Sequence, residues 1–265
     1  MPSQLNPDSG DEAFWREFLT HGDTKERRLR NVFRLLPSSP RCQLCAAPFT
    51  GFGAPVMRMI GKRPAIQNPH VCSQCFTFLA DRHGGAEVEI TLLFADIRGS
   101  TTIAEGMSST DYRRLLDRFY TVATSAVFDN GGMVDKFVGD ELVAMFFPLI
   151  AGDLHAVAGV KAAKDLLVAT GHADASGPWV PVGAGVHSGR TWFGAVGQGS
   201  RTELTAVGDA VNVTARLASM AAAGEILVTT DAAVAAGLDP GLERRSLDLK
   251  GKSMATEVVS LTVSG

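Results

Sequence analysis

Asp96 closes the apolar run Val88–Ala95, and Asp140 sits in a Gly-Asp turn between the strand-like segments Met133–Val138 and Leu142–Phe147. A strand that ends in a carboxylate and a hairpin tipped with another can bring the two together where those strand ends adjoin. Two carboxylates at adjacent strand ends can share hard cations. Magnesium prefers oxygen ligands and keeps positions open for substrate phosphates, so aspartates without accompanying His or Cys suit a metal that handles a nucleoside triphosphate. Taken singly, Asp96 also fits the cap of a helix beginning near Ser100, and Asp140 fits a turn filler. Gly99-Ser100-Thr101 lies between Asp96 and that helix, where backbone N–H groups favour phosphate oxygens. This turn is a candidate triphosphate cradle.

From Glu87 onward, short apolar strands alternate with longer amphipathic helices. Strands are expected at Val88–Ala95, in the hairpin Met133–Phe147, at Val182–His187, Trp192–Val196, Glu203–Val207 and Ile226–Thr229, and near Arg244–Leu249 and Thr256–Leu261. Helices are expected at Thr110–Asp129, Leu154–Ala169 and Ala210–Ala221. The mixture points to an α+β sheet with helices on one face. Upstream, Phe14, Trp15, Phe18 and Leu19, then Leu29, Val32, Phe33 and Leu36, recur at helical spacing. His21-Gly22-Asp23 divides them into two helices, and Pro37-Ser38-Ser39-Pro40 ends the second. Their apolar stripe is expected to pack on the cysteine-bearing segment or on a partner protomer.

All four cysteines form two C-x-x-C pairs, Cys42/Cys45 and Cys72/Cys75. Each pair can offer two thiolates from a tight turn, and two turns complete a tetrahedral site. The polar, acidic N-terminus does not resemble a secretory signal, and no run approaches the ~20 apolar residues of a membrane span. A cytoplasmic protein with no membrane association is therefore expected. Disulfides are disfavoured there, which leaves one structural ion per chain, redox-active thiols, or incidental pairs. Zinc is the default ion, though iron or an iron–sulfur cluster uses the same ligands. His70 and His83 flank the second pair as alternative ligands or surface residues. A net charge of −3, with Arg41, Arg58, Lys62 and Arg63 as the module's few basic residues, gives no footprint for nucleic acid. At 265 residues the chain accommodates one large domain and an accessory module. The expected division is a helical segment over 1–40, a four-cysteine module over 41–84 and the larger α+β domain over 85–265, jointed at His83-Gly84-Gly85.

Three segments, FADIRGST (94–101), DKFVGDELVAMF (135–146) and TAVGDAVNVTARL (205–217), resemble the class III adenylyl and guanylyl cyclases, and the resemblance runs from Glu87 to Leu261. It implies a ferredoxin-like core with extra strands, preceded here by the helical and zinc-ribbon-like module. It also implies synthesis of 3′,5′-cyclic AMP and pyrophosphate from ATP, with two magnesium or manganese ions per site held by Asp96, Asp140 and the carbonyl of Ile97. Lys136 matches the lysine that reads adenine, where guanylyl cyclases usually carry glutamate. Thr205 stands where many adenylyl cyclases have a second, aspartate reader, and so resembles the threonine subgroup, several members of which respond to bicarbonate. Asn212 and Arg216 match the pair that orients the ribose and stabilises charge at the α-phosphate, their spacing placing both on one helix face. Arg201 and Lys250, the latter in LKGK, match contacts to the terminal phosphates, and His187 in GVHSG is read as structural. In the family the aspartates come from one protomer and the lysine, threonine, asparagine and arginine from the other, so a homodimer with two composite sites is implied. Three rival readings stay open: a catalytically silent nucleotide-binding regulator, a guanylate cyclase, and an adaptor acting through the cysteine module. A protein partner or small-molecule regulator is the expected occupant of that module.

Overall fold

The computed structural model describes residues 9–22, 24–36, 40–197, 202–248 and 255–263. Eight strands form one sheet: β1 (Gly84–Ile97), β2 (Met133–Val138), β3 (Glu141–Phe146), β4 (Val182–Val196), β5 (Glu203–Val207), β6 (Glu225–Thr229), β7 (Arg244–Leu247) and β8 (Thr256–Thr262). Their order is β2-β3-β1-β4-β6-β8-β7, with β5 paired to β4 off this path. β2–β3, β3–β1 and β1–β4 pair antiparallel, whereas β4–β6 is parallel. The helices are α1 (Ser9–Thr20), α2 (Thr24–Arg34), α3 (Ala54–Met59), α4 (Ser73–Ala80), α5 (Ser100–Glu105), α6 (Ser109–Asp129), α7 (Pro148–Ala151), α8 (His155–Ala169), α9 (Asp209–Met220) and α10 (Thr230–Ala235).

β1 is buried without interruption from Ile90 to Ala95 because both of its faces are covered there. Leu93, Ala95 and Ile97 join one cluster with Phe119, Ala123 and Val127 of α6, Val160, Ala163 and Leu167 of α8, and Ala232 of α10. Ile90, Leu92 and Phe94 join another with Trp15, Phe18 and Leu19 of α1, Phe76 and Leu79 of α4, and Ala210 and Ala218 of α9. Helices thus cover both faces rather than the single face expected. The second covering escaped the sequence pattern because it comes from the N-terminal segment as well as from α9.

The divided apolar stripe does fold as two helices. α1 buries Trp15 completely, its ring 6.1 Å from Phe193, and sets Phe14 edge-on and Phe18 tilted against Phe78 of α4 at 5.8 and 6.0 Å. α2 buries Phe33, but Val32 and, just beyond the helix, Leu36 are exposed, so this half of the stripe is not all core.

Gly84 and Gly85, at the expected joint, open β1 and pair with Ala195 and Gly194. One further expectation changes. Val182–His187 and Trp192–Val196 are one strand, because the long β1 partners it without a break from Ile97↔Val182 to Gly84↔Ala195. α3, α4 and α10, of six to eight residues, are too short to display a period and were not foreseen.

Candidate active site

Asp96 lies one residue from the end of β1, opposite Glu141 of β3, and Asp140 occupies the β2–β3 turn just before Glu141. The turn is held from α6: the Tyr120 hydroxyl donates to the Gly139 carbonyl, and the Tyr120 ring stacks on Phe137 at 3.9 Å. Burial pushes the Asp96 carboxyl up to about 6, reinforced by a hydrogen bond with Asp140 and that group's charge, and opposed by Arg98. Burial, then Asp96 and Asp140, push Glu141 up to about 6 as well. Three carboxyls therefore crowd one strand end against one guanidinium. Arg98 pairs with Asp96 and also donates to the Ser219 carbonyl of α9 at 2.8 Å. This all-oxygen, electron-rich donor set fits magnesium or manganese, whose charge would relieve the repulsion. Asp96 is 30% exposed, so the cluster is open to a ligand.

Gly99 follows in the left-handed conformation at φ 67°, which favours glycine, and turns the chain into α5 at Ser100 and Thr101. Asn212 and Arg216 lie one turn apart on α9, Asn212 exposed and Arg216 half-buried. α9 can press against β4 because Gly185 lacks a side chain: a Cβ there would stand 2.5 Å from the Ala218 nitrogen. Lys136 and Thr205 form a separate group. Thr205 donates from Oγ1 to Asp135 Oδ2 at 2.8 Å, and Lys136 Nζ lies 3.9 Å from the same oxygen and 3.0 Å from Glu203 Oε2. The charged partners of Lys136 are thus Asp135 and Glu203, not the Asp96–Asp140 pair. His187 Nδ1 stands 3.0 Å from the Thr229 hydroxyl. Arg201 and Lys250 lie outside the described residues.

Arg98, Asp135 and Glu141 were missed, although each stands beside a residue singled out in the quoted motifs. Asp135 carried the clearest signal, as a charge at a strand position with buried neighbours Met133 and Val134.

The four cysteine sulfurs lie within 4.8 Å of one another and all four residues are buried. Cys45 and Cys72 sulfurs are 3.8 Å apart, the edge of a tetrahedron with metal–sulfur bonds of about 2.3 Å. Cys42 Sγ accepts from the Cys45 and Cys72 N–H groups at 3.5 and 3.2 Å, as a thiolate ligand does. Burial pushes the Cys42 thiol up, while hydrogen bonds with the other three cysteines hold Cys45 down. Burial works against the Lys62 charge, yet the neighbouring thiolates leave its ammonium above its ordinary value, with Nζ 3.7 Å from Cys45 Sγ. Buried Arg30 binds the carbonyls of Gln43 and Leu44 in the first pair's turn. Two cations therefore sit beside a centre that four thiolates and a divalent ion would leave at net −2. His70 packs on Phe137 instead of joining the sulfurs, and His83 is exposed.

A family model described as the adenylate and guanylate cyclase catalytic domain matches residues 85–259. The chain belongs to this family. The cyclase domain is 35% identical over 178 residues to the terminal-differentiation-specific adenylate cyclase of Dictyostelium discoideum, a match covering 64% of the chain and 8% of that protein. It is 32% identical over 178 residues to adenylate cyclase 1 of Rhizobium meliloti, covering 64% of the chain and 27% of the relative. The chain thus spans less than a third of the length of these curated relatives. Among solved structures, the adenylyl cyclase CyaB from P. aeruginosa is 26% identical with a TM-score of 0.60, over 68% of this chain and 97% of that one. The guanylyl cyclase Cya2 shares the fold at 24% identity and a TM-score of 0.62, over 69% of this chain and 95% of that one. Among the described residues, no helix of the cyclase is long and apolar enough to cross a membrane.

Proposed function

We propose that the chain is an adenylate cyclase that converts ATP to 3′,5′-cyclic AMP and pyrophosphate at the interface of a cytoplasmic homodimer. The carrying observation is the division of the candidate residues into two groups. Asp96, Asp140 and Glu141 crowd one strand end, while Lys136 and Thr205 gather around Asp135. A triphosphate needs the first and a purine the second, and a two-fold dimer brings one group of each protomer to the other.

Asp96, Asp140 and the Ile97 carbonyl would hold two magnesium or manganese ions, which when bound favour ionisation of the ribose 3′-hydroxyl and screen the triphosphate. The 3′-oxygen bonds to the α-phosphorus, the bond to the bridging β-phosphate oxygen breaks, and the hydroxyl proton passes to solvent. Asn212 orients the ribose. Arg216 stabilises charge on the equatorial α-phosphate oxygens, where a fixed cation acts strongly because water is excluded. Gly99, Ser100 and Thr101 line the triphosphate with backbone donors, and Arg201 and Lys250 reach its far end. Lys136 donates to adenine N1, and Thr205 accepts from the 6-amino group.

Residues 1–40 and 41–84 form the helical segment and the cysteine module, with the catalytic domain over 85–265. The module holds one zinc per chain as its structural ion, on the support of its sulfur geometry, and receives a protein or small-molecule signal. Purified full-length protein given ATP and manganese should make cyclic AMP, and GTP in parallel should yield far less cyclic GMP. No cyclic nucleotide from either substrate would favour the silent regulator, and equal yields would remove the base assignment.

A further inference from the structure

We propose that Asp135 is a specificity-positioning residue, which fixes the direction of the Thr205 hydroxyl bond so that Thr205 shows the purine only lone pairs. The inference deepens the adenylate cyclase reading and rests on its assignment of Thr205 to the base.

The geometry begins with a bulge. In the β2–β3 ladder Val134 pairs with Ala144 and Lys136 with Val143, leaving Asp135 as an extra residue. In a regular strand, residues three apart point to opposite faces. Yet Val134 and Phe137 both pack into the cluster beneath α6 and α8. The extra residue absorbs the change of phase, which lets Asp135 and its neighbour Lys136 address the same group on β5. Both reach that strand through side chains alone, since β2 and β5 are not ladder neighbours.

The Asp135 side chain is 6% exposed and has two partners there: the Thr205 hydroxyl at 2.8 Å and the Lys136 ammonium at 3.9 Å, both at Oδ2. Burial pushes the carboxyl up, and Lys136 and the Thr205 bond act against that shift. An ionised carboxylate only accepts, so it takes the single proton of Thr205. The oxygen of this half-buried threonine is left as an acceptor. Adenine offers it the 6-amino donor, whereas guanine would oppose it with the acceptor O6. Without Asp135 a threonine could rotate to suit either base. The bulge that carries this carboxylate is fastened from the cysteine module, where Gln43 Oε1 accepts from the Val134 N–H at 2.7 Å and Asn68 Nδ2 reaches the Asp135 carbonyl at 3.4 Å.

The test compares ATP with purine riboside triphosphate, which lacks only the 6-amino group, and with GTP. Each is measured by turnover with manganese and by competition against a fluorescent ATP analogue, so that the ratio within each variant cancels the active fraction. Wild type should prefer ATP over the 6-unsubstituted analogue by roughly tenfold, the scale of one hydrogen bond. Asp135→Asn, whose amide can donate to Thr205, should bring that ratio to within about threefold of unity and raise relative use of GTP roughly tenfold, with the analogue itself little affected. Thr205→Val should lose the same ratio, Thr205→Ser should keep it, and the Asp135→Asn/Thr205→Val pair should lose no more than either alone. Equal weakening of ATP and analogue in Asp135→Asn, with their ratio kept, would show a merely structural carboxylate and overturn the proposal. A ratio unmoved by Thr205→Val would overturn it through its parent assignment instead. Preserved ratios in competition without cyclic nucleotide production would support the inference while removing the catalytic reading.

Discussion

The chain carries two clusters of anionic ligands, and they are built in opposite ways. The sulfur cluster is closed: four buried cysteines face one another, backbone N–H groups point at Cys42, and Lys62 and Arg30 stand close by. The carboxylate cluster is open and under-compensated, with Arg98 against three acids. A closed site contributes its binding free energy to folding, whereas an open one stores repulsion that a substrate-bearing ion can relieve. The difference predicts which ligands the fold needs and which only chemistry needs.

The largest effect should come from the open cluster. Asp96→Ala or Asp140→Ala is expected to lower cyclic AMP production by about a thousandfold or more, since two-metal sites supply much of such a rate enhancement. The melting temperature should stay level or rise, because a crowded carboxylate is removed. A falling melting temperature would erase the contrast between the clusters.

Cys72→Ser should do the reverse. Elemental analysis should find the stoichiometric zinc gone, and limited proteolysis should cut within residues 40–80 that resist it in the parent protein. Full retention of metal and protection would mean that the sulfurs do not form one closed site.

A purely apolar lesion in the same covering calibrates that loss. Trp15 is fully buried against Phe193, and Trp15→Ala should cost about 3–5 kcal/mol in denaturant unfolding. Its metal content should not change, which separates packing of the module from ligation within it.

The smallest signal sharpens the composite reading. Asp96→Ala and Arg216→Ala homodimers should each be inactive, yet after verified subunit exchange the mixture should recover roughly a quarter of wild-type activity, because half the dimers are mixed and each has one intact site. Exchange without recovery would place both groups of residues in one chain's site.

Much of the catalytic sheet was legible because its strands have the length and polarity that burial imposes. β5 matches its expected span, and β2, β3 and α6 fall within a residue of theirs. Asp96 and Asp140 stood out at strand ends, but their pairing was carried by the resemblance. The gap left between Val182–His187 and Trp192–Val196 is absent, since pairing with β1 carries the strand through it. The second covering of the sheet was illegible because α1 offers only an apolar stripe, and nothing local says which surface receives it. Lys136 and Thr205 were linked by resemblance alone. Asp135 showed as a charge within a strand, but its tie to Thr205 was hidden, because a one-residue change of strand phase cannot be seen without the partner strand.

The central ladder joins Gly84 to Ala195 and Ile97 to Val182, and α1 finishes against Phe193. During synthesis the N-terminal stripe and the whole of β1 leave the ribosome long before their main partner exists. The cysteine module, whose ligands all lie within residues 42–75, can close around its ion at once. The sheet must wait for most of the chain, so the β1–β4 pairing is expected to form late, as contacts of long sequence separation do.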